Sequence, residues 1–206
     1  MMTQPPLVVL DLGDVLVRTA PGTQYDRLHT LTGVPAALWA RAADDGLTEA
    51  LELGRIDFPV FVGRLCGRVA AGTPPLKEMR AAFCATLVDL DPLVAEVARE
   101  LARQDRLLFA SNTSEPHWTA IQHLLTQAGI AAPACLSFEI GHRKPSDSFF
   151  EVLADTDKRV RDHACFIDDR LEHVEAARRI GMEGVLHRSA PFTAAWLTAI
   201  ARLGSF

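Results

Sequence analysis

The chain predicts a doubly wound α/β domain, with a parallel sheet covered by helices on both faces and a helical cap inserted after the first strand. Three observations predict it. Short runs that are apolar throughout recur along the chain, the pattern of strands buried on both faces. Amphipathic helical stretches separate the later runs, as parallel crossovers require. One long stretch after the first run shows helical spacing only.

The first expected strand is Leu7–Leu10, which ends on Asp11 and turns through Gly13 in the stretch PPLVVLDLGDVLVRT. From about Pro21 to Leu87 the alternation breaks. TQYDRLHTLTG, PAALWARAADD, LTEALELG, FPVFVGRLCGRVA and PLKEMRAAFCATL all show helical spacing punctuated by Gly and Pro, and none reads as a strand. Residues 19–87 are therefore expected to form a cap domain above the carboxyl ends of the strands, with 1–18 and 88–206 forming the core domain. Further strands are expected at Leu107–Ala110, Ala134–Phe138, Ala164–Ile167 and Gly184–Leu186. Helical patterns lie at Pro92–Gln104, Glu115–Ala128, Ser146–Asp155 and Leu171–Ile180. No internal repeat or low-complexity segment interrupts them.

A chain of 206 residues, 49% apolar and 23% charged, has the composition of a globular protein with its own core and not of a disordered or fibrous one. Its net charge of -5, with Lys and Arg scattered, supplies no field for a phosphate backbone, so no nucleic-acid partner is expected. Cys66, Cys84, Cys135 and Cys165 are widely spaced in apolar surroundings and read as buried thiols of a reducing compartment. The start MMTQPP has neither a basic nor an apolar leader region, and no run is long enough to span a membrane. A cytoplasmic protein is expected.

Ligands of open parallel sheets bind beyond the strand carboxyl ends. There the first strand delivers Asp11, the second Ser111, Asn112 and Thr113, the third leads to Lys144, and the fourth ends in Asp168 and Asp169. Singly, each has an ordinary role as a cap, a turn residue or a surface charge. Together, three carboxylates need compensation, and a hard divalent cation such as Mg²⁺ suits one or two carboxylates, a backbone carbonyl and waters. Ser111, Asn112, Lys144 and the N–H groups around Leu12 and Gly13 suit a phosphoryl group, with Asp11 as attacking carboxylate.

VVLDLGDVLV, LLFASNTSEPHW, EIGHRKPSDSFFEVL and CFIDDRLEHVEAARRIGM resemble the four ordered motifs of the haloacid dehalogenase (HAD) superfamily of hydrolases, matched over nearly the whole chain. Within it the sequence resembles the small phosphatases whose first motif reads DLGN or DLGG, including α-D-glucose-1-phosphate phosphatases, and GRIDFPVFVGRL resembles their cap helices. The resemblance implies a Rossmann-like core with a helical cap and a Mg²⁺-dependent phosphoaspartyl mechanism; a small-molecule phosphate ester is the expected partner, and a monomer or homodimer is expected. It makes Asp11 the nucleophile and a metal ligand, and gives the metal the Gly13 carbonyl. Ser111 and Asn112 hold the phosphoryl group, and Lys144 bridges nucleophile and phosphate. Asp169 becomes a direct metal ligand, supported by Asp168 through water or Lys144.

Two positions depart from the family pattern. Gly13 stands where most such phosphatases carry the aspartate that protonates the leaving oxygen, and neighbouring Asp14 is expected to point elsewhere. His173 stands where relatives often have Asn and is expected to bear on helix packing or a substituent contact. Two other functions compete with a phosphatase. A 2-haloacid dehalogenase needs neither the acid nor a metal and would use Arg41 for a substrate carboxylate. A phosphate-binding protein would bind without turnover. His142 is expected at the surface ahead of the crevice, His117 and His187 are weighed as groups titrating near neutrality, and Tyr25 and Trp39 are expected in the cap core.

Overall fold

The structure, a computed structural model, describes residues 5–44 and 46–203. The MMTQ start and Asp45, which closes the expected PAALWARAADD helix, lie outside the described residues. The strands are β1 (Leu7–Leu10), β2 (Val17–Thr19), β3 (Leu87–Leu90), β4 (Leu107–Ser111), β5 (Ala134–Leu136), β6 (Ala164–Asp168) and β7 (Glu183–Leu186). The helices are α1 (Thr23–Thr32), α2 (Ala36–Asp44), α3 (Leu47–Glu52), α4 (Phe58–Arg68), α5 (Leu76–Cys84), α6 (Pro92–Arg103), α7 (Glu115–Gln127), α8 (Ser137–Ile140), α9 (Asp147–Thr156), α10 (Arg159–Asp162), α11 (Leu171–Arg179) and α12 (Ala190–Leu203).

Five strands form one parallel sheet in the order β5-β4-β1-β6-β7, so the expected α/β class is the observed one. Every β1 side chain is buried, and alternate residues serve opposite faces. Val8 and Leu10 pack with Val94, Ala98 and Leu101 of α6, Ile121 of α7 and Leu197 of α12. Leu7 and Val9 pack with Phe149, Phe150 and Leu153 of α9 and Ala177 of α11. Each such fully buried aliphatic side chain contributes about 1.5–3 kcal/mol, which fixes the register that aligns the strand ends. Asp91 caps α6 by accepting from the N–H groups of Leu93 and Val94 at 3.0 and 3.2 Å, with Pro92 at the first helical position, where no N–H is needed.

The sequence leads to no strand at β2 or β3, yet these pair antiparallel, and the Arg18–Asp89 ion pair spans them. Segments of three and four residues are too short to register a period of two. The boundaries expected at 18/19 and 87/88 fall inside this ribbon. The strand expected over Ala134–Phe138 stops at Leu136, because the buried Ser137 hydroxyl exchanges hydrogen bonds with the Thr113 main chain (2.9 and 3.0 Å) and opens α8. Helix α12 is not among the expected elements. Its PFTAAWLTAI stretch is apolar over much of its circumference and offers little amphipathic contrast.

Between β2 and β3, helices α1–α5 gather their own apolar cluster around Trp39, Phe61, Leu65 and Met79. Several contacts dock them on the remaining elements. Gly54 adopts φ +65, and a Cβ there would meet the Phe138 carbonyl oxygen at 2.1 Å, so only glycine fits that approach. On the opposite flank Arg80 makes a two-pronged pair with Glu115 at 2.9 and 2.8 Å, and Phe83 stacks on His117 at 4.3 Å between ring centres. Among the described residues no helix is long and apolar enough to cross a membrane. The four cysteines are free; Cys66, Cys135 and Cys165 are buried and Cys84 is half-buried.

Candidate active site

The parallel register brings the ends of β1, β4 and β6 side by side, which places Asp11, Ser111 and Asp168 on one edge. The Asp11 N–H continues the ladder by donating to the Ile167 carbonyl at 3.0 Å. Directly after it the chain folds back on itself, with the Leu12 carbonyl accepting from Leu16 and Val17 at 3.0 and 2.7 Å. Asp14 takes φ 56 in this turn. Leu12 is buried, Gly13 half-buried and Asp14 exposed.

Lys144 is the hub. Its buried ammonium donates to Asp11 Oδ1 at 2.7 Å, to Asp168 Oδ2 at 2.7 Å and to the Ala110 carbonyl at 2.8 Å, and it lies 5.5 Å from the centre of the Phe166 ring. Three acceptors match its three N–H bonds, which is what permits an ammonium to be buried at all. Its backbone is held from both sides by one side chain. Asn112 accepts from the Lys144 N–H at 2.8 Å and donates Nδ2 to the Lys144 carbonyl at 2.9 Å. The Asn112 amide thus positions the lysine, a task different from the phosphoryl contact expected of it. Ser111 is buried at the end of β4, and among the described residues its hydroxyl has no hydrogen-bond partner.

Asp168 is completely buried, with both oxygens engaged. Oδ2 takes the Lys144 ammonium, while Oδ1 accepts from the Arg170 N–H at 2.9 Å and faces His173 Nδ1 at 2.9 Å. His173 itself is buried, and among the described residues its Nε2 has no partner. This contact with Asp168 is one the sequence does not show, and it comes in addition to the helix packing expected of His173, which lies buried in α11. The first turn of α11 directs position 173 back at the strand end, a spacing of five residues that the sequence contains but that has no distinctive signature. Asp169 stands on the exposed rim.

The charges are unbalanced. One oxygen from each of Asp11, Asp168 and Asp169 lies within 4.8 Å of the others, and among the described residues a single ammonium faces these carboxylates. Burial pushes the Asp11 carboxyl up; Lys144 and the Leu12 N–H oppose this, the Asp168 charge adds to it, and the result is about 6. Asp168 is held down at about 2, because the His173 and Lys144 contacts outweigh the burial that would raise it. Burial and the neighbouring Asp168 raise Asp169. Burial alone would lower the Lys144 ammonium, but Asp11 and Asp168 hold it above its usual value. Lys144 and Asp168 therefore form a settled ion pair, and Asp11 and Asp169 carry the excess negative charge. That is a donor set for a divalent cation with oxygen ligands.

The other candidates lie elsewhere. Asp14 Oδ1 accepts from the Thr19 hydroxyl at 2.6 Å, within the turn. His142 is exposed, His117 contacts the Phe83 carbonyl at 3.2 Å beneath the α5 docking contact, and His187 Nδ1 contacts the Thr193 hydroxyl at 2.8 Å. Arg41 lines a cavity of about 510 Å³ with Leu38, Ala42 and Arg68, and none of the clustered carboxylates lines it. Trp39 is fully buried in the α1–α5 cluster and Tyr25 packs against it.

No protein-family model and no functionally curated protein matches the sequence. Solved structures do. A HAD family enzyme from Bacteroides thetaiotaomicron, crystallised with magnesium and inorganic phosphate, superposes with a TM-score of 0.78 at 19% identity over 89% of this chain and 94% of its own. A predicted HAD-like family hydrolase from Porphyromonas gingivalis gives 0.77 at 21% identity over 98% of both chains. An L-2-haloacid dehalogenase gives 0.59 at 14% identity over 86% of this chain and 82% of its own. The chain has the Rossmann-like α/β fold of HAD-family enzymes, with its cluster of carboxylates at the carboxyl edge of the sheet.

Proposed function

We propose that the protein is a Mg²⁺-dependent phosphatase of a small phosphorylated metabolite, acting through an aspartyl-phosphate on Asp11. The observation that carries the proposal is the Asp11–Lys144–Asp168 chain of two 2.7 Å contacts with Asp169 beside it, an excess of negative charge around one reactive carboxylate. The donor set fits a hard cation held by Asp11, Asp169 and the Gly13 carbonyl, with Asp168 acting through Lys144. When bound, the cation supplies compensation for the phosphoryl charge that these carboxylates would otherwise repel.

Asp11 attacks phosphorus, the bond to the ester oxygen breaks, and its electron pair leaves with that oxygen, which takes a proton from solvent because Gly13 supplies none. Lys144 keeps Asp11 oriented and offsets charge on the transferring group, while Ser111 and the main chain around Leu12, Gly13 and Asn112 offer short donors to the phosphoryl oxygens. Water then attacks phosphorus, releases inorganic phosphate and regenerates the Asp11 carboxylate. Residues 19–87 act as the cap that selects substrate. With no acid at Gly13, substrates whose leaving group is already stabilised are favoured: sugar 1-phosphates, acyl phosphates and aryl phosphates. A panel of phosphate esters assayed with and without Mg²⁺ tests this reading. Turnover that needs the metal supports it, and turnover indifferent to chelation removes it.

A further inference from the structure

A cavity of about 430 Å³ opens where the loop after α3 meets the loop before α9, and Arg55, Arg143, Arg170, Glu49, His142 and Lys144 contribute to its wall. Arg170 ties it to the reaction centre, since this residue follows Asp169 directly and its N–H holds Asp168 Oδ1 at 2.9 Å. The cations of the wall are unequally satisfied. Lys144 is consumed by Asp11 and Asp168. Arg143 faces Glu52 at 3.0 Å and Glu49 at 3.7 Å. Arg170 shares an exposed pair with Glu172. Arg55 is exposed and, among the described residues, its guanidinium has no partner. The backbone just before it is held close, because the adjacent Gly54 sits against the Phe138 carbonyl with no room for a side chain.

Building on the phosphatase reading, we infer that this cavity is a second anion subsite, and that the substrate carries another negative group beyond the phosphoryl that is transferred. Arg55 receives that group, with Arg170 beside it. A guanidinium presents a planar fork of donors matched to a carboxylate or to a second phosphate, and both share this chemistry. A neutral substituent would leave the fork without an acceptor while displacing water from it.

Calorimetric titration of the Mg²⁺-loaded Asp11→Asn protein tests the inference without turnover. The probes are glycerol 3-phosphate, 3-phosphoglycerate and glycerol 1,3-bisphosphate, which share a three-carbon frame with a central hydroxyl and differ in the second group. At least one of the last two is expected to bind about tenfold more tightly than glycerol 3-phosphate, as one charge-assisted contact provides. In Asp11→Asn/Arg55→Ala this preference is expected to vanish. Tighter binding of the carboxylate probe alone identifies a phosphorylated acid, and of the bisphosphate alone a doubly phosphorylated substrate. Equal affinity for all three probes, or a preference that survives Arg55→Ala, overturns the subsite and leaves the phosphatase reading standing. Failure to bind any of the three overturns the subsite, and the phosphatase reading then stands or falls with the ester panel.

Discussion

Asn112 and Lys144, thirty-two residues apart, clasp one another through two hydrogen bonds, the amide of one closing on the N–H and the carbonyl of the other. The lysine that orients Asp11 is thereby aimed from behind. Asn112→Ala is expected to leave two main-chain groups of Lys144 without partners, at about 1–3 kcal/mol of stability. Turnover is expected to fall further, by about 100-fold, since a displacement of about 1 Å at a reacting group has that effect. Thermal unfolding and kcat measured on the same preparation check both.

Asp11→Asn is expected to stabilise the metal-free protein at neutral pH. The folded-state value of about 6 lies above the ordinary 3.8, so the native protein binds the proton more tightly than the unfolded chain, and the ionised carboxylate opposes folding above that range. The amide removes the opposition, by up to about 3 kcal/mol. The gain should shrink as pH falls from about 6 to 3.8, where Asp11 becomes protonated in the parent too. Denaturant unfolding in chelator at several pH values measures it, and a variant less stable than the parent at neutral pH contradicts the charge imbalance described above.

For His173 the sign is reversed. Asp168 is held at about 2, below its ordinary 3.8, so its contacts stabilise the fold above that range and the contribution is lost as pH falls towards 2. His173→Ala removes one of those contacts. A loss of about 1–2 kcal/mol is expected at neutral pH, narrowing below 3.8. His173→Asn, which keeps a donor at this position, should recover part of it. Urea denaturation across this range distinguishes a hydrogen-bonding role from simple packing, which would give a pH-independent loss.

Gly13→Asp tests the missing acid. A Cβ at this position meets nothing within 4 Å, and the residue does not need a left-handed backbone, so neither the backbone nor a clash at Cβ opposes the substitution. An added acid contributes about 10²–10⁴-fold where the leaving oxygen needs a proton and little where it does not. Hydrolysis of alkyl phosphates should rise more than that of aryl phosphates. A parent protein that already hydrolyses both at one rate has an acid elsewhere.

The sequence makes the sheet legible because its strands are buried on both faces and announce themselves as unbroken apolar runs. Asp11, Ser111 and Asp168 are legible for the same reason, since a polar residue that ends such a run must lie at the sheet edge. Other relations depend on distance in the chain. That Asn112 clasps the Lys144 backbone follows from two loops meeting across neighbouring strands, and an Asn after a strand reads equally well as a cap or a ligand. The His173–Asp168 contact depends on where the first turn of α11 points. The β2–β3 ribbon is set by pairing between segments about seventy residues apart, too short to carry a pattern of their own. The approach of Gly54 to Phe138 is likewise a property of the assembled fold, although a glycine in a run of helix formers hints at a turn.

The central claim is that Asp11 becomes phosphorylated during metal-dependent turnover. Borohydride reduces an acyl phosphate and converts the aspartate that bears it to homoserine, which peptide mass spectrometry can locate. Protein quenched during hydrolysis of an aryl phosphate in Mg²⁺ and reduced at once is expected to carry homoserine at position 11, and to carry none when Mg²⁺ or the ester is omitted. Steady turnover with position 11 unmodified, or with the modification on another carboxylate, contradicts the account.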